Sequence, residues 1–155
     1  MESLKMKAKN KIKTIAICCS ANFYRQALEI QDELKKRGFG VAVPHTALVM
    51  KKRGDYEPST YKVWYKDASA YKRKAFLIRH HFRKIIASDA ILVVNFEKHG
   101  KNGYIGGNTL MEMAIAFHYK KQIFVLNDIS KDLPHYEEVM GMLPTLLSGD
   151  ISNIK

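Results

Sequence analysis

Asn102-Gly103-Tyr104-Ile105-Gly106-Gly107-Asn108-Thr109-Leu110-Met111-Glu112-Met113-Ala114-Ile115-Ala116-Phe117 lies between two apolar runs, Ile91-Leu92-Val93-Val94 and Ile123-Phe124-Val125-Leu126. The order reads as strand, glycine loop, helix, strand. A strand that feeds a glycine turn and a helix N-terminus leaves a crevice lined by free backbone N–H groups. Gly106 and Gly107 carry no side chain there, so a ligand can approach the backbone. Asn108 and Thr109 bring N–H groups that suit a sugar hydroxyl or a phosphate. Glu112 is expected in the first turn of the helix, where the helix dipole favours an ionised carboxylate.

Working outward, Lys13 to Ser20 reads as a strand whose core, Thr14-Ile15-Ala16-Ile17-Cys18, is nearly continuous in apolar character. Such a run suits a central parallel strand covered on both faces. Ser20-Ala21-Asn22 is polar enough to start a helix. Phe23, Ala27, Ile30 and Leu34 share one face of the helix expected over 23–37. Lys35-Lys36-Arg37 and Gly38 suit its end. Phe39 to Val43 reads as a short strand stopped by Pro44. Residues 44–68 mix Pro, Gly, Lys and the aromatics Tyr56, Tyr61, Trp64 and Tyr65, and read as a long irregular lid or binding segment. A helical pattern over 69–87, a strand over Ala90 to Asn95, a helix over 109–120 and a strand over Gln122 to Leu126 follow. A short helix over 135–142 and an edge strand beyond Leu143 complete the chain. This alternation predicts a flavodoxin-like, three-layer α/β domain with a doubly wound sheet of about five parallel strands in the order 2-1-3-4-5. Ligands then bind beyond the carboxyl ends of the strands, where loops 19–23, 95–109 and 127–134 meet.

The 155 residues are 46% hydrophobic and carry a net charge of +11. One domain over 13–155 is expected, with a basic tail over 1–12 and a basic insert at about 45–75. Residues 51–84 hold eleven Lys/Arg against Asp55, Glu57 and Asp67, so two segments carry the charge and the body is nearly neutral. No apolar run reaches the eighteen or so residues of a membrane helix, and the basic N-terminus lacks the apolar region of a signal peptide. Cys18 and Cys19 are adjacent, without a distant partner, which points to a reducing, cytoplasmic setting.

Each candidate has a plain alternative. Thr109-Leu110-Met111-Glu112 matches a capping box, in which Glu112 would only bond back to the Thr109 N–H. Ser20 or Asn22 either caps a helix or faces the crevice, and Phe23 is either core or a ligand contact. Asp89 either punctuates the passage from helix to strand or reaches a ligand. Asn95 and Asn127 end their strands as turn residues or as contacts. Cys18-Cys19 does not have metal-pair spacing and His80-His81 lacks the i, i+4 spacing of a helical metal site. No metal and no cofactor is expected, and neither a P-loop nor a dinucleotide fingerprint is present.

The run Gly103 to Phe117, followed by Lys120-Lys121-Gln122-Ile123-Phe124-Val125-Leu126-Asn127, resembles the nucleoside 2-deoxyribosyltransferase-like superfamily, which includes the 2'-deoxynucleoside 5'-phosphate N-hydrolases. Ile15-Ala16-Ile17-Cys18-Cys19-Ser20 and Ser88-Asp89-Ala90-Ile91-Leu92-Val93-Val94-Asn95 fit its first and third strands. The resemblance covers roughly 13–44 and 76–150 and is most specific at 103–116. It implies that Glu112 attacks the anomeric carbon of a ribosyl or deoxyribosyl group, that the base leaves, and that water or a second base resolves the glycosyl ester. It also implies a nucleoside or nucleotide substrate and a homo-oligomer in which a neighbour completes the site. The chain departs from the pattern at three places. His80-His81-Phe82 stand near where many members carry a base-contacting acid. Gly106 stands where the phosphate-directed hydrolases have Ser. Cys19 stands where Gly often precedes Ser.

Two other function classes fit the residues. A noncatalytic nucleotide-binding or sensing domain would use the same crevice with Glu112 as a cap. A nucleic-acid-binding protein would use the basic, aromatic-rich stretch 51–84, with Lys72, Arg73 and Lys74 at its densest point. Otherwise that stretch is a cationic lid over an anionic nucleotide or a solvated face.

Overall fold

A computed structural model describes residues 10–155. Five strands, β1 (Thr14–Cys18), β2 (Gly40–Ala42), β3 (Ala90–Val93), β4 (Gln122–Val125) and β5 (Thr145–Leu146), form one sheet in the order β2-β1-β3-β4-β5 with every pairing parallel. The α-helices α1 (Tyr24–Lys36), α2 (His45–Arg53), α3 (Tyr71–Ala87), α4 (Gly107–His118) and α5 (Tyr136–Gly141) surround it. This is the three-layer, flavodoxin-like α/β arrangement that the apolar runs predict.

The layers follow from alternation along the strands. Ile15 and Ile17 of β1, Leu92 of β3 and Phe124 of β4 pack with Ala27, Leu28, Ile30 and Leu34 of α1 and with Ala47 of α2. Ala16, Cys18, Ile91, Val93, Ile123 and Val125 point the other way, onto Ile85 of α3, Met113 and Ala116 of α4 and Val139 of α5. Successive side chains on a strand face opposite sides, so a sheet covered by helices on both faces needs apolar residues at every position. Arg37, just past α1, closes the first layer. Its Nη1 donates to the Ile151 carbonyl at 2.6 Å and its Nη2 to the Ile154 carbonyl at 2.8 Å.

Two expectations change. A basic tail over 1–12 is too long, because Ile12 is buried in the core; residues 1–9 lie outside the described residues. The segment 44–68, expected to be irregular throughout, begins instead with α2. That helix has Pro44 at its N-cap, buries Ala47 and Met50 one turn apart, carries Lys51, Lys52 and Arg53 in its last turn, and ends at Gly54 in the left-handed conformation with φ 68°. Each of these is an ordinary helix boundary or burial signal. Without a Ser, Thr, Asp or Asn cap, they are hidden in a mixed composition. Beyond α2 the chain is short turns tied by Tyr61, whose hydroxyl donates to the Asp55 carbonyl at 2.7 Å, and by Arg25 stacked over Tyr56. No helix of the described residues is long and apolar enough to cross a membrane.

The carboxyl ends of β3 and β4 are cross-braced. Asn95 Nδ2 donates to the carbonyls of Gly103 (3.2 Å) and Asn127 (2.9 Å), and Asn95 Oδ1 accepts from the Asn127 N–H at 2.9 Å. Asn127 Nδ2 returns a bond to the Asn95 carbonyl at 2.8 Å. Gly103 sits in this brace at φ 66°, and a Cβ there would collide with the Asp128 carbonyl oxygen. Gly103→Ala therefore meets backbone that cannot give way, as well as left-handed strain. It should destabilise the protein by about 2–4 kcal/mol. Urea unfolding measures this; a loss below about 0.5 kcal/mol, the range of a neutral surface change, would show that the brace is not rigid.

Candidate active site

A cavity of about 220 Å³ opens beyond the carboxyl ends of β1 and β3. Cys19, Ser20, Ala21 and Tyr24 line it after β1, and Gly106, Gly107, Asn108, Thr109 and Glu112 line it from α4. α3 contributes Lys74, Leu77, Ile78 and His81, which share one helical face at 3- and 4-residue spacing. His45, Thr46 and Met50 of α2 and Pro58, Tyr61, Lys62 and Trp64 beyond it cover the side away from the sheet, while Lys98 and Tyr104 come from the loop after β3.

Glu112 is 4% exposed and, among the described residues, is the one carboxyl in this lining. It does not cap its helix. α4 starts at Gly107 with Gly106 as N-cap, so Thr109 lies inside the first turn and Glu112 in the second. The capping-box reading and the first-turn placement are both corrected by this. The two glycines begin the helix two residues earlier than Thr109 because Gly106 adopts the extended cap conformation. Asn108 Nδ2 donates to Glu112 Oε1 at 3.0 Å, and Glu112 Oε2 is buried with no hydrogen-bond partner among the described residues. Burial pushes the carboxyl up to about 8, against opposing pulls from Cys18, the Lys74 ammonium and Asn108. At neutral pH the group is largely protonated.

Next to it lies a cluster that no spacing in the sequence announces. Ligand atoms of Cys18, His81 and Glu112, from β1, α3 and α4, lie within 4.8 Å of one another, and all three residues are buried. Thiolate, imidazole and carboxylate are a donor set that suits zinc. In the arrangement present, however, His81 Nε2 donates to the Ile17 carbonyl at 2.9 Å and stands 3.6 Å from Cys18 Sγ. Burial first, then Lys84, lowers His81 to about 4, so it stays neutral, with Nδ1 buried and unpartnered among the described residues. Burial and then Glu112 raise the thiols of Cys18 and Cys19 well above their usual value. The trio is thus an uncharged group at neutral pH. Cys18 and His81 are 63 positions apart along the chain, which is why residue spacing points to none of this.

The other sequence candidates divide. Ser20, Gly106, Gly107, Asn108 and Thr109 join Glu112 at the cavity. A Cβ on Gly107 would meet open space, while one on Gly106 would touch the Tyr104 ring at 3.3 Å. Asn22 is exposed and outside the lining, and Phe23 is a core residue packed edge-on against Phe96. Asn95 is fully buried in the brace between β3 and β4 and does not line the cavity. Asp89 is at the wrong end of the sheet. Its Oδ2 accepts from the N–H groups of Lys13 (2.8 Å) and Thr14 (3.0 Å), pinning the amino ends of β1 and β3, and those bonds hold its carboxyl below the usual range. Of the two histidines, His81 faces the cavity; His80 stacks on Phe76 outside it. Sequence reasoning missed Tyr24, Lys62, Lys98 and Tyr104 as wall residues. Only the 74-77-78-81 stripe of α3 carried a periodic signal.

No protein-family model matches the chain, and no curated protein matches it.

The burial of Glu112 has a signed consequence for stability. Its carboxyl binds a proton more tightly folded than unfolded, so between its unfolded value near 4.5 and its folded value of about 8 the native state holds the extra proton. Stability from this group is complete below pH 4.5 and falls as pH rises to about 8. Glu112→Gln removes the titration. Measured against pH, the variant's stability should gain on the parent across that window by roughly 3–5 kcal/mol. Parallel curves for the two proteins would show that the carboxyl is not desolvated.

Proposed function

We propose that this cavity cleaves or transfers at the N-glycosidic bond of a nucleoside or nucleoside monophosphate, with Glu112 as nucleophile. One observation carries the reading: the carboxyl in the wall is buried, is not a helix cap, and leaves Oε2 without a partner among the described residues. A helix-capping role, the plain alternative, is removed by the same geometry. The resemblance at 103–116 supplies the reaction class. Tyr24, Tyr61, Trp64 and Tyr104 surround the space in which a base would lie, and aromatic faces stack on any base.

In this mechanism an ionised Glu112 oxygen attacks the anomeric carbon. The C–N bond breaks, its electron pair leaves with the base, and the base nitrogen takes a proton from solvent water, which regains one from the water or base that attacks next. Water or a second base then attacks the same carbon and frees the carboxylate. Asn108 holds Oε1, which orients the carboxyl, and Oε2, itself buried, has no competing hydrogen bond among the described residues. Lys74 favours the ionised form across the cavity. A buried carboxylate is poorly solvated and hence strongly nucleophilic once ionised. The homo-oligomer that the resemblance implies and the cytoplasmic setting that the two cysteines suggest belong to the same proposal.

Incubation with a panel of nucleosides and nucleoside monophosphates should release free base, read by chromatography. kcat/KM should rise with pH through about 8, as the free enzyme's Glu112 ionises. Glu112→Gln should lower release by at least about a thousandfold, and intact mass should show a glycosyl adduct on the parent alone. Nucleotide binding with no base released from any member of the panel would instead make this a noncatalytic binding domain.

A further inference from the structure

Three lysines converge on the cavity from three separate segments: Lys62 from the turns after α2, Lys74 from the first turn of α3, and Lys98 from the loop after β3. Their contacts among the described residues are uncharged. Lys98 Nζ donates to Ser20 Oγ at 3.0 Å and lies 5.1 Å from the Tyr104 ring centroid, and Lys74 Nζ lies 4.6 Å over Trp64. The carboxyl in the lining, Glu112, is buried and mostly protonated at neutral pH. So the cavity holds three positive charges and almost no compensating negative one among the described residues.

The lysines feel one another. Lys62 is half-buried, and its ammonium is lowered by burial first and then by Lys98 and Lys74. Gathering like charges where water is partly excluded is costly unless an anion enters. The opposite wall has the same polarity. α4 starts with no side-chain cap, and the residues that carry its first N–H groups, Gly107, Asn108 and Thr109, line the cavity. Those N–H groups have no partner within the helix and carry the positive end of its dipole.

We infer that Lys62, Lys74 and Lys98, facing the open end of α4, form an anion subsite that takes the phosphate of the substrate, so that the cavity prefers a nucleoside monophosphate to a nucleoside. The inference rests on the reading of the cavity as a nucleoside site and names which of its two substrate classes fits. Lys62 and Lys74 lie between 44 and 76, outside the stretches that resemble the superfamily, so this charge is a property of this chain's own covering segment. It also divides the basic stretch 51–84: Lys62 and Lys74 face inward, while Lys51, Lys52 and Lys72 are exposed.

The test compares 2-deoxyribose 5-phosphate with 2-deoxyribose by calorimetry on the full chain. The phosphate should bind at least about tenfold tighter, and the margin should shrink as salt rises. Lys62→Met with Lys98→Met should remove most of the margin. Lys35→Met with Lys36→Met, an equal loss of charge at the far end of α1, should leave it. Equal binding of the two sugars by the parent protein, a margin that survives in the cavity variant, or a margin that falls equally in the control variant would each overturn the subsite. A base-release assay run in parallel separates the two readings. Phosphate preference through these lysines with no base released from any nucleotide keeps the subsite and removes the glycosidic reading. Base released equally from nucleosides and monophosphates, without phosphate preference in binding, does the reverse.

Discussion

A carboxyl taken out of water must become neutral, find a cation or wait for a ligand to complete it. Glu112 is held in that condition by its surroundings. α4 carries it inward past the first turn, β1 and α3 close over it with Cys18 and His81, and Asn108 satisfies one oxygen only. The cost of desolvation is large relative to the net stability of a domain this size. Such a group persists where the neighbouring elements are fixed tightly enough to tolerate it. The parallel sheet supplies that rigidity, because β1 and β3 are central strands buried on both faces.

Positioning falls to residues that do not line the cavity. Asn95, with both ends of its side-chain amide, and Asn127, with its Nδ2, lock the loops after β3 and β4 together, and Gly103 is the position where their backbones pass too closely for a side chain. That lock fixes the loop that presents Lys98, Tyr104 and Gly106. At the other end of the sheet Asp89 does equivalent work for β1 and β3. Buried or bonded polar groups at strand ends set the register of loops, and loops carry the chemistry.

The architecture was legible because buried parallel strands write themselves as unbroken apolar runs. Those at 14–18, 91–94 and 123–126 are too short for helices and too apolar for surface loops. The strand order followed from topology rules. Glu112 and the Gly106–Thr109 rim were legible because a glycine loop between a strand and a helix fixes where its residues go, and Ser20 because it comes at the carboxyl end of a central strand. Asn95 and Asp89 were ambiguous for a physical reason: a polar residue at a strand end looks the same in sequence whether it holds backbone or ligand. α2 was concealed by its mixed composition and a proline cap. The Cys18–His81 contact could not be read at all, since a strand residue and a helix residue meet only after the layers close.

Arg37 draws residues 114 and 117 positions away onto the end of the first helix. That guanidinium joins the end of α1 to the segment that follows β5, so the layer containing α1 is sealed only once nearly everything between them has been made and placed. Closure over so long a loop is entropically slow. A nascent chain emerging from the ribosome can assemble β1, α1 and β2 early, yet that layer stays unlatched until Ile151 and Ile154 arrive.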